Sequence, residues 1–215
     1  MRQQADLIIS GSYLLPGSKQ EGLVTDGAVV ISGNTITAVG NAQQITTDYT
    51  ARRSIHTEHG LIMPGLINTH THAPMALFRG LADDLPLMTW LEKHIFPVEA
   101  AWTPEMIFQA TQLSLAEMIK SGTTSFCDMY LFSKEVARAT EEAGMRGWIG
   151  EVLYDFPSPC YGELENGFAY VDDLFAHYKS HPLITVTAIH TPFTPAQQIC
   201  SHDLERSLTK TTAST

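Results

Sequence analysis

Basic residues and long apolar runs are scarce in this 215-residue chain. Thirteen Lys and Arg residues stand against 23 Asp and Glu residues, for a formal net charge of −10. We therefore expect no nucleic-acid partner and no membrane partner, because phosphate-rich surfaces attract basic proteins. No apolar run approaches the roughly 20 residues that cross a bilayer. The apolar stretch at residues 7–9 is too short for the core of a signal peptide.

Cysteine is also rare, and Cys127, Cys160 and Cys200 show no Cys-x-x-Cys spacing. This usage is typical of free thiols in a reducing compartment, and it argues against a disulfide framework or a cysteine zinc cluster. With 44% hydrophobic and 17% charged residues, the composition is that of an ordinary globular protein. We therefore expect a cytoplasmic protein with one or two domains.

The most informative segment is an apolar run over residues 61–69 that leads into His70 and His72. Side chains at positions i and i+2 of a strand lie on the same face. If the run is one strand, both imidazoles project together from its C-terminal end, as in the first half of a divalent metal site. The alternative is a polar strand end whose two histidines bond only to water or backbone.

Residues 1–60 have the texture of strands and turns. Residues 28–31 and 35–39 are both β-rich, and Ser32-Gly33-Asn34 lies between them. This pattern predicts a hairpin in which Gly33 adopts the positive φ of the turn. We expect residues 1–60 to form a small all-β domain of the sandwich type.

From His72 onward, helical and strand patterns alternate. Thr103 and Pro104 form a helix start, and a second helix is predicted from Ser133, as its cap, to Ala143, with Gly144 ending it. A third apolar stripe runs over residues 168–178. Strands are predicted at residues 123–128, 146–153 and 183–189. Counting the strand that ends at His72, the alternation gives four strand–helix repeats.

Such alternation predicts an α/β fold with a parallel sheet and right-handed crossovers. His70, His72, Asp128 and His190 all fall at predicted strand C-terminal ends, where a (β/α)8 barrel builds its active site. We therefore expect residues 61–194 to form the first four units, the N-terminal half, of a metal-dependent (β/α)8 TIM barrel. Residues 195–215 are interpreted as a divergent, truncated tail.

Residues 64–80, Pro-Gly-Leu-Ile-Asn-Thr-His-Thr-His-Ala-Pro-Met-Ala-Leu-Phe-Arg-Gly, closely resemble the amidohydrolase superfamily. Within it, they resemble the 5-methylthioadenosine/S-adenosylhomocysteine deaminases and their chlorohydrolase-like relatives. The resemblance continues through residues 81–85, 90–91, 95–99, 122–124, 127–130 and 190–194, and so covers roughly residues 5–194.

The resemblance implies roles for five residues. His70 and His72 correspond to the first two ligands of a catalytic zinc, with Fe or Mn as other metals. Glu99 corresponds to the carboxylate that grips the ribose hydroxyls, Trp90 to an aromatic beside the substrate, and His190 to a substrate-contacting histidine. The alternatives are a solvated surface acid for Glu99, a helix-packing residue for Trp90 and a structural histidine for His190. The catalytic acid and base of the family correspond to no motif in this chain.

The activity that the resemblance implies is zinc-dependent hydrolytic deamination of 5-methylthioadenosine or S-adenosylhomocysteine, which yields the inosyl product and ammonia. The chain itself is expected to be a truncated, inactive form. Glu151 stands where some family members carry a substrate-side arginine, so the preference for S-adenosylhomocysteine is open. Alternative substrates are guanine, cytosine or a chloro-triazine ring, and another alternative is a non-catalytic fragment. The expected partner is a small-molecule nucleoside, and a homo-oligomer is compatible with these observations.

Overall fold

The computed structural model describes residues 2–17 and 22–190. The chain divides into two compact units, Met1–Gly65 and Leu66–Thr215. No helix in the described residues is long and apolar enough to cross a membrane.

The first unit is built on one four-stranded sheet in the order β3-β2-β1-β4. Strand β1 pairs antiparallel with β2 and parallel with β4, and β2 pairs antiparallel with β3. The predicted hairpin is confirmed, because Gly33 has a φ of 60° in the turn between β2 and β3. The bounds are β1 Gln3–Leu14, β2 Val24–Ser32, β3 Thr35–Asn41 and β4 Tyr49–Ile62.

A short helix, α1 (Ala42–Asp48), corrects the expectation that this unit is all-β. The Asn41 side chain caps it by accepting a hydrogen bond from the Gln43 amide at 2.9 Å. Ile45 is 6% exposed and belongs to the small core that also contains Ile8 and Val30. The helix therefore forms because a good N-cap coincides with one apolar residue that packs against the sheet.

The second unit contains a parallel sheet in the order β5-β6-β7-β8, with helices between successive strands. This order confirms the predicted β/α repeats. The strands are β5 Leu66–Thr71, β6 Thr123–Tyr130, β7 Arg146–Leu153 and β8 Ile184–His190. A 3-10 helix (Ala73–Phe78) follows β5, and a π-helical turn (Leu91–Ile95) separates α2 (Leu87–Trp90) from α3 (Phe96–Glu99). The longer helices are α4 Pro104–Lys120, α5 Ser133–Ala143 and α6 Leu164–Tyr178.

The apolar run that was expected to form one strand is divided in two. β4 ends at Ile62, and β5 begins at Leu66, after Pro64 and Gly65. Proline has no backbone N–H to donate to a sheet, so it interrupts the run. His70 lies within β5, whereas His72 follows its last residue.

Helix ends in the second unit follow local rules, with one correction. Thr103 caps α4 by accepting from the Met106 amide at 3.3 Å, and Gly144 ends α5 with a φ of 67°. The cap of α5 is Phe132, and not Ser133 as predicted. The Ser133 amide instead donates to the Glu151 carboxylate at 2.7 Å, so a residue from β7 satisfies the start of this helix.

Candidate functional site

The two histidines of the apolar run lie side by side. The ring centroids of His70 and His72 are 5.0 Å apart, and the ring planes are nearly perpendicular, at 77°. Both side chains stand at the C-terminal end of β5, the edge of a parallel sheet where α/β proteins place their chemistry. The structure therefore brings together the pair that the spacing of the sequence singled out.

A backbone carbonyl determines which nitrogen of His72 carries the proton. His72 Nδ1 is 2.6 Å from the carbonyl oxygen of Met129 in β6. A carbonyl oxygen can only accept, so Nδ1 is the donor and the lone pair of the neutral ring lies on Nε2. Metal-binding histidines are oriented in this way by a second hydrogen bond. His72 therefore fits a metal ligand that binds through Nε2.

Asp128, in β6, is hydrogen-bonded to the residues on both sides of His72. Its Oδ1 accepts from the Thr71 hydroxyl and from the Ala73 amide, each at 2.6 Å. The carboxyl is fully buried, and this burial raises the pKa of Asp128 to about 6. Asp128 therefore holds the histidine segment in place and orients its neighbours.

Three of the predicted site residues line one cavity of about 210 Å³: His72, Trp90 and Glu99. Trp90 is the last residue of α2, and Glu99 is the last residue of α3. The described residues that complete the lining are mostly apolar or aromatic: Met75, Leu91, Ile95, Phe96, Met129, Tyr130, Val152 and Tyr154. Elements distant in sequence thus converge on a pocket that places an imidazole and a carboxylate in a mostly apolar and aromatic wall.

Glu99 is not the solvated surface acid that was the alternative interpretation. It is only 6% exposed, and Oε1 accepts a hydrogen bond of 2.7 Å from the Tyr130 hydroxyl. Burial raises the pKa of Glu99, and this effect is partly offset by the Tyr130 hydrogen bond and by His72. A buried acid of this kind needs polar partners, and it faces a cavity that can supply one from a ligand.

One wall of the cavity is aromatic. Tyr154 stacks on Phe156, with ring centroids 4.5 Å apart and planes 13° from parallel, and Phe156 also contacts Phe96 at 5.9 Å. The Tyr161 hydroxyl accepts from the Tyr154 amide at 2.8 Å and donates to the Val152 carbonyl at 3.0 Å. This bridge fixes the backbone of two lining residues, so the wall suits a flat, apolar ring.

Sequence reasoning missed Tyr130 and Tyr154 as cavity residues. Tyr130 is the last residue of β6, two positions after Asp128, and so shares its face of the strand. That position is the signal that could have found it. His190 ends β8, where its backbone pairs with Leu153. The His190 side chain and residues 195–215 lie outside the described residues.

Within residues 2–17 and 22–190, no three His, Cys, Asp or Glu side chains are grouped closely enough to hold a metal ion. Catalytic zinc usually has three protein ligands and one open position. His70 and His72 would supply two of these three ligands, and the part of the chain that the structure describes groups no third one with them.

Comparison with known proteins identifies the family. Residues 61–199 match the model of the amidohydrolase family. This chain belongs to that family. The match confirms the resemblance drawn from residues 64–80, and the parallel β/α units are the expected part of the fold.

Among curated relatives, this amidohydrolase is 49% identical over 192 residues to the 5-methylthioadenosine/S-adenosylhomocysteine deaminase of Syntrophobacter fumaroxidans, covering 89% of this chain and 44% of the relative. It is 45% identical over 185 residues to 5-methylthioadenosine/S-adenosylhomocysteine deaminase 1 of Syntrophus aciditrophicus, covering 86% and 42%. The chain thus spans less than half the length of these relatives.

Solved structures show the same fold. An adenosine deaminase from Xanthomonas campestris with bound zinc matches with a TM-score of 0.84 and 35% identity, over 88% of this chain and 44% of that one. Guanine deaminase from E. coli matches with a TM-score of 0.80 and 18% identity, over 97% and 52%. At that identity, the second match supports the fold alone.

Proposed function

We propose that this amidohydrolase chain serves a divalent-metal-dependent deamination of adenosine-type nucleosides, with 5-methylthioadenosine and S-adenosylhomocysteine as the leading substrates. The observation that carries the proposal is that His72, Trp90 and buried Glu99 line one and the same cavity. The names of the most similar curated relatives support the same reaction.

The metal would be held by His70 and His72. The hydrogen bond to the Met129 carbonyl leaves the Nε2 lone pair of His72 available, and the rings of His70 and His72 are close enough to bind one ion. Zinc is the leading candidate, because a similar structure contains it, and Fe or Mn also accept imidazole nitrogen. When bound, such an ion supplies the Lewis acidity that brings the ionisation of water near neutral pH. Asp128 keeps the histidine segment in place for this task.

The substrate would be anchored by Glu99 and the aromatic wall. A carboxylate only accepts hydrogen bonds, so it is complementary to the two hydroxyls of a ribose. The heterocycle would pack between Trp90 and the apolar lining, which excludes water from the ring. His190 stays a proposed substrate contact, on the basis of the family resemblance.

Glu99 also favours a nucleoside over the alternative substrates. Guanine, cytosine and chloro-triazines have no vicinal diol, so Oε2 of this carboxylate would gain no hydrogen bond from them, while Oε1 stays bonded to Tyr130. An unpaired buried acceptor costs about 1–3 kcal/mol, and more when it is charged. The geometry therefore supports a riboside better than a bare ring. The cavity also favours a protein that binds a small molecule over the alternative of a non-catalytic fragment without such a ligand.

The test is a binding and turnover panel with the purified chain and added Zn²⁺. Equilibrium dialysis would measure the binding of 5-methylthioadenosine, S-adenosylhomocysteine, adenosine, guanine, cytosine and a chloro-triazine. An ammonia assay would test the expectation that this chain alone does not turn them over. We expect the adenosine-type nucleosides to bind most tightly, and we expect Glu99→Gln to weaken their binding by about tenfold. The exposed Glu165→Gln variant is the control. Preference for a bare ring, or no nucleoside binding, would refute the proposal.

A further inference from the structure

We propose that Tyr130 is a positioning residue that aims Glu99 at the ribose hydroxyls of the substrate. This inference rests on the proposed function and adds a residue whose role is to orient the nucleoside anchor. The observation behind it is a chain of hydrogen bonds from the Trp102 indole, through the Tyr130 hydroxyl, to Glu99.

The chemistry of the three groups gives this chain of bonds one direction. The indole N–H of Trp102 can only donate, and it lies 3.2 Å from the Tyr130 hydroxyl oxygen. The hydroxyl therefore accepts from Trp102 and donates its own proton to Glu99 Oε1, at 2.7 Å. The carboxylate, which only accepts, ends the chain. The Tyr130 hydroxyl thus accepts one hydrogen bond and donates one, and its bond to Oε1 sets the orientation of the Glu99 carboxylate.

Packing holds the donors in place. Trp102 is 8% exposed and stacks on Phe78, with ring centroids 5.2 Å apart and planes 21° from parallel. Tyr130 is 4% exposed and closes the C-terminal end of β6. The Trp102 amide also donates to the Glu99 carbonyl at 3.0 Å. Folding has therefore already fixed the Glu99 carboxylate, so a substrate that binds to it does not have to order this side chain.

The arrangement leaves a defined oxygen for the ligand. With Oε1 bonded to Tyr130, Oε2 is the oxygen that can accept from ribose hydroxyls. Tyr130 also follows Met129, whose carbonyl orients His72. Two consecutive residues of one strand therefore set the distance between the proposed metal ligand and the proposed nucleoside anchor, which productive binding requires.

The hydrogen-bond relay from Trp102 through Tyr130 to Glu99 can be tested without any ligand. The protein has three tryptophans, so their indole N–H signals are easily resolved by ¹⁵N NMR, and Trp102→Phe assigns the signal of Trp102. Tyr130→Phe should shift the Trp102 signal. Glu99→Gln should shift it in the wild-type background and leave it unchanged in the Tyr130→Phe background. A Trp102 signal that does not respond to Tyr130→Phe would overturn the relay.

Its consequence for recognition is tested by comparing two nucleosides. Tyr130→Phe should weaken 5-methylthioadenosine binding about tenfold, or about 1.4 kcal/mol, and leave 2′,3′-dideoxyadenosine binding unchanged, because the second ligand has no hydroxyls for Glu99. Tyr170→Phe is the matched control, since its half-buried hydroxyl accepts from the Lys134 amide and lies outside the cavity lining. Neither ligand should respond to it.

The outcomes separate this inference from the proposed function. Equal losses for both nucleosides, or no loss for 5-methylthioadenosine, would overturn the positioning role while the proposed function stands. If the wild-type chain binds no nucleoside, the proposed function and the ribose-directed role both fail. The indole signals would still decide whether the relay exists.

Discussion

Burial of Glu151 should make the second unit less stable as the pH rises. Glu151 lies in β7 with no exposed surface, and its Oε2 accepts from the Ser133 amide at the start of α5. Its Oε1 has no hydrogen-bond partner among the described residues. Burial, which disfavours the charged form, raises the pKa of Glu151 from its ordinary value of 4.5 to about 7, and the Ser133 hydrogen bond offsets only part of this effect.

The sign follows from proton binding. Below pH 4.5, Glu151 is protonated in both the folded and the unfolded chain. Between pH 4.5 and about 7, the unfolded chain has released the proton and the folded chain keeps it, so the free energy of unfolding falls as the pH rises. Each pH unit costs about 1.4 kcal/mol, so the loss reaches about 3 kcal/mol by the upper end of this window.

Glu151→Gln removes this titration and keeps an oxygen that can accept from the Ser133 amide. Urea unfolding followed by tryptophan fluorescence reports on the second unit, because Trp90, Trp102 and Trp148 all lie within it. We expect the variant to exceed the wild type by about 3 kcal/mol at about pH 8 and to match it below about pH 4.5. The exposed Glu165→Gln variant should follow the wild type. Equal pH dependence of wild type and Glu151→Gln would refute the reasoning.

Two further substitutions test the metal site and the first unit. Thr71→Val removes the hydroxyl that donates to Asp128 at 2.6 Å, so the affinity for Zn²⁺ should fall about tenfold. Competition with a chromophoric chelator measures this affinity, and an unchanged value would contradict the role of Asp128. In Gly27→Ala, the new Cβ would lie 2.2 Å from Leu14 Cβ, which should cost about 1–3 kcal/mol and reduce amide-exchange protection in β1 and β2. Gly40→Ala meets no heavy atom within 4 Å and is the control, so equal protection in the two variants would be inconsistent with this packing.

The elements that local rules specify were predictable from the sequence. The end of α5 at Ala143 and the bounds of β7 match the prediction, because Gly144 ends the helix in the left-handed conformation and a short apolar run follows it, whereas α5 begins one residue earlier than its predicted cap allowed. The hairpin at Gly33 was predictable for the same reason. The consecutive parallel order of β5 to β8 followed from the alternation of helices and strands.

The site was only partly predictable, because its contacts join residues that are distant in sequence. Glu99 and Tyr130 are 31 positions apart, and no local pattern links a buried acid to its donor. Glu151 illustrates the limit of reasoning from an aligned position. Its Oε2 accepts from the Ser133 amide, and Glu151 is not among the residues that line the cavity. Glu151 therefore faces the start of α5, and not the substrate side that the resemblance implied for this position.

The C-terminal end of β6 connects the two halves of the proposed chemistry. Asp128 and Tyr130 project their side chains to the same face, and both are buried. Asp128 secures the backbone around His72, and Tyr130 secures Glu99. The carbonyl of Met129, between them, selects the His72 tautomer. A one-residue slip of this strand would turn all three groups away from their partners at once, so metal binding and nucleoside binding depend on the same register of β6.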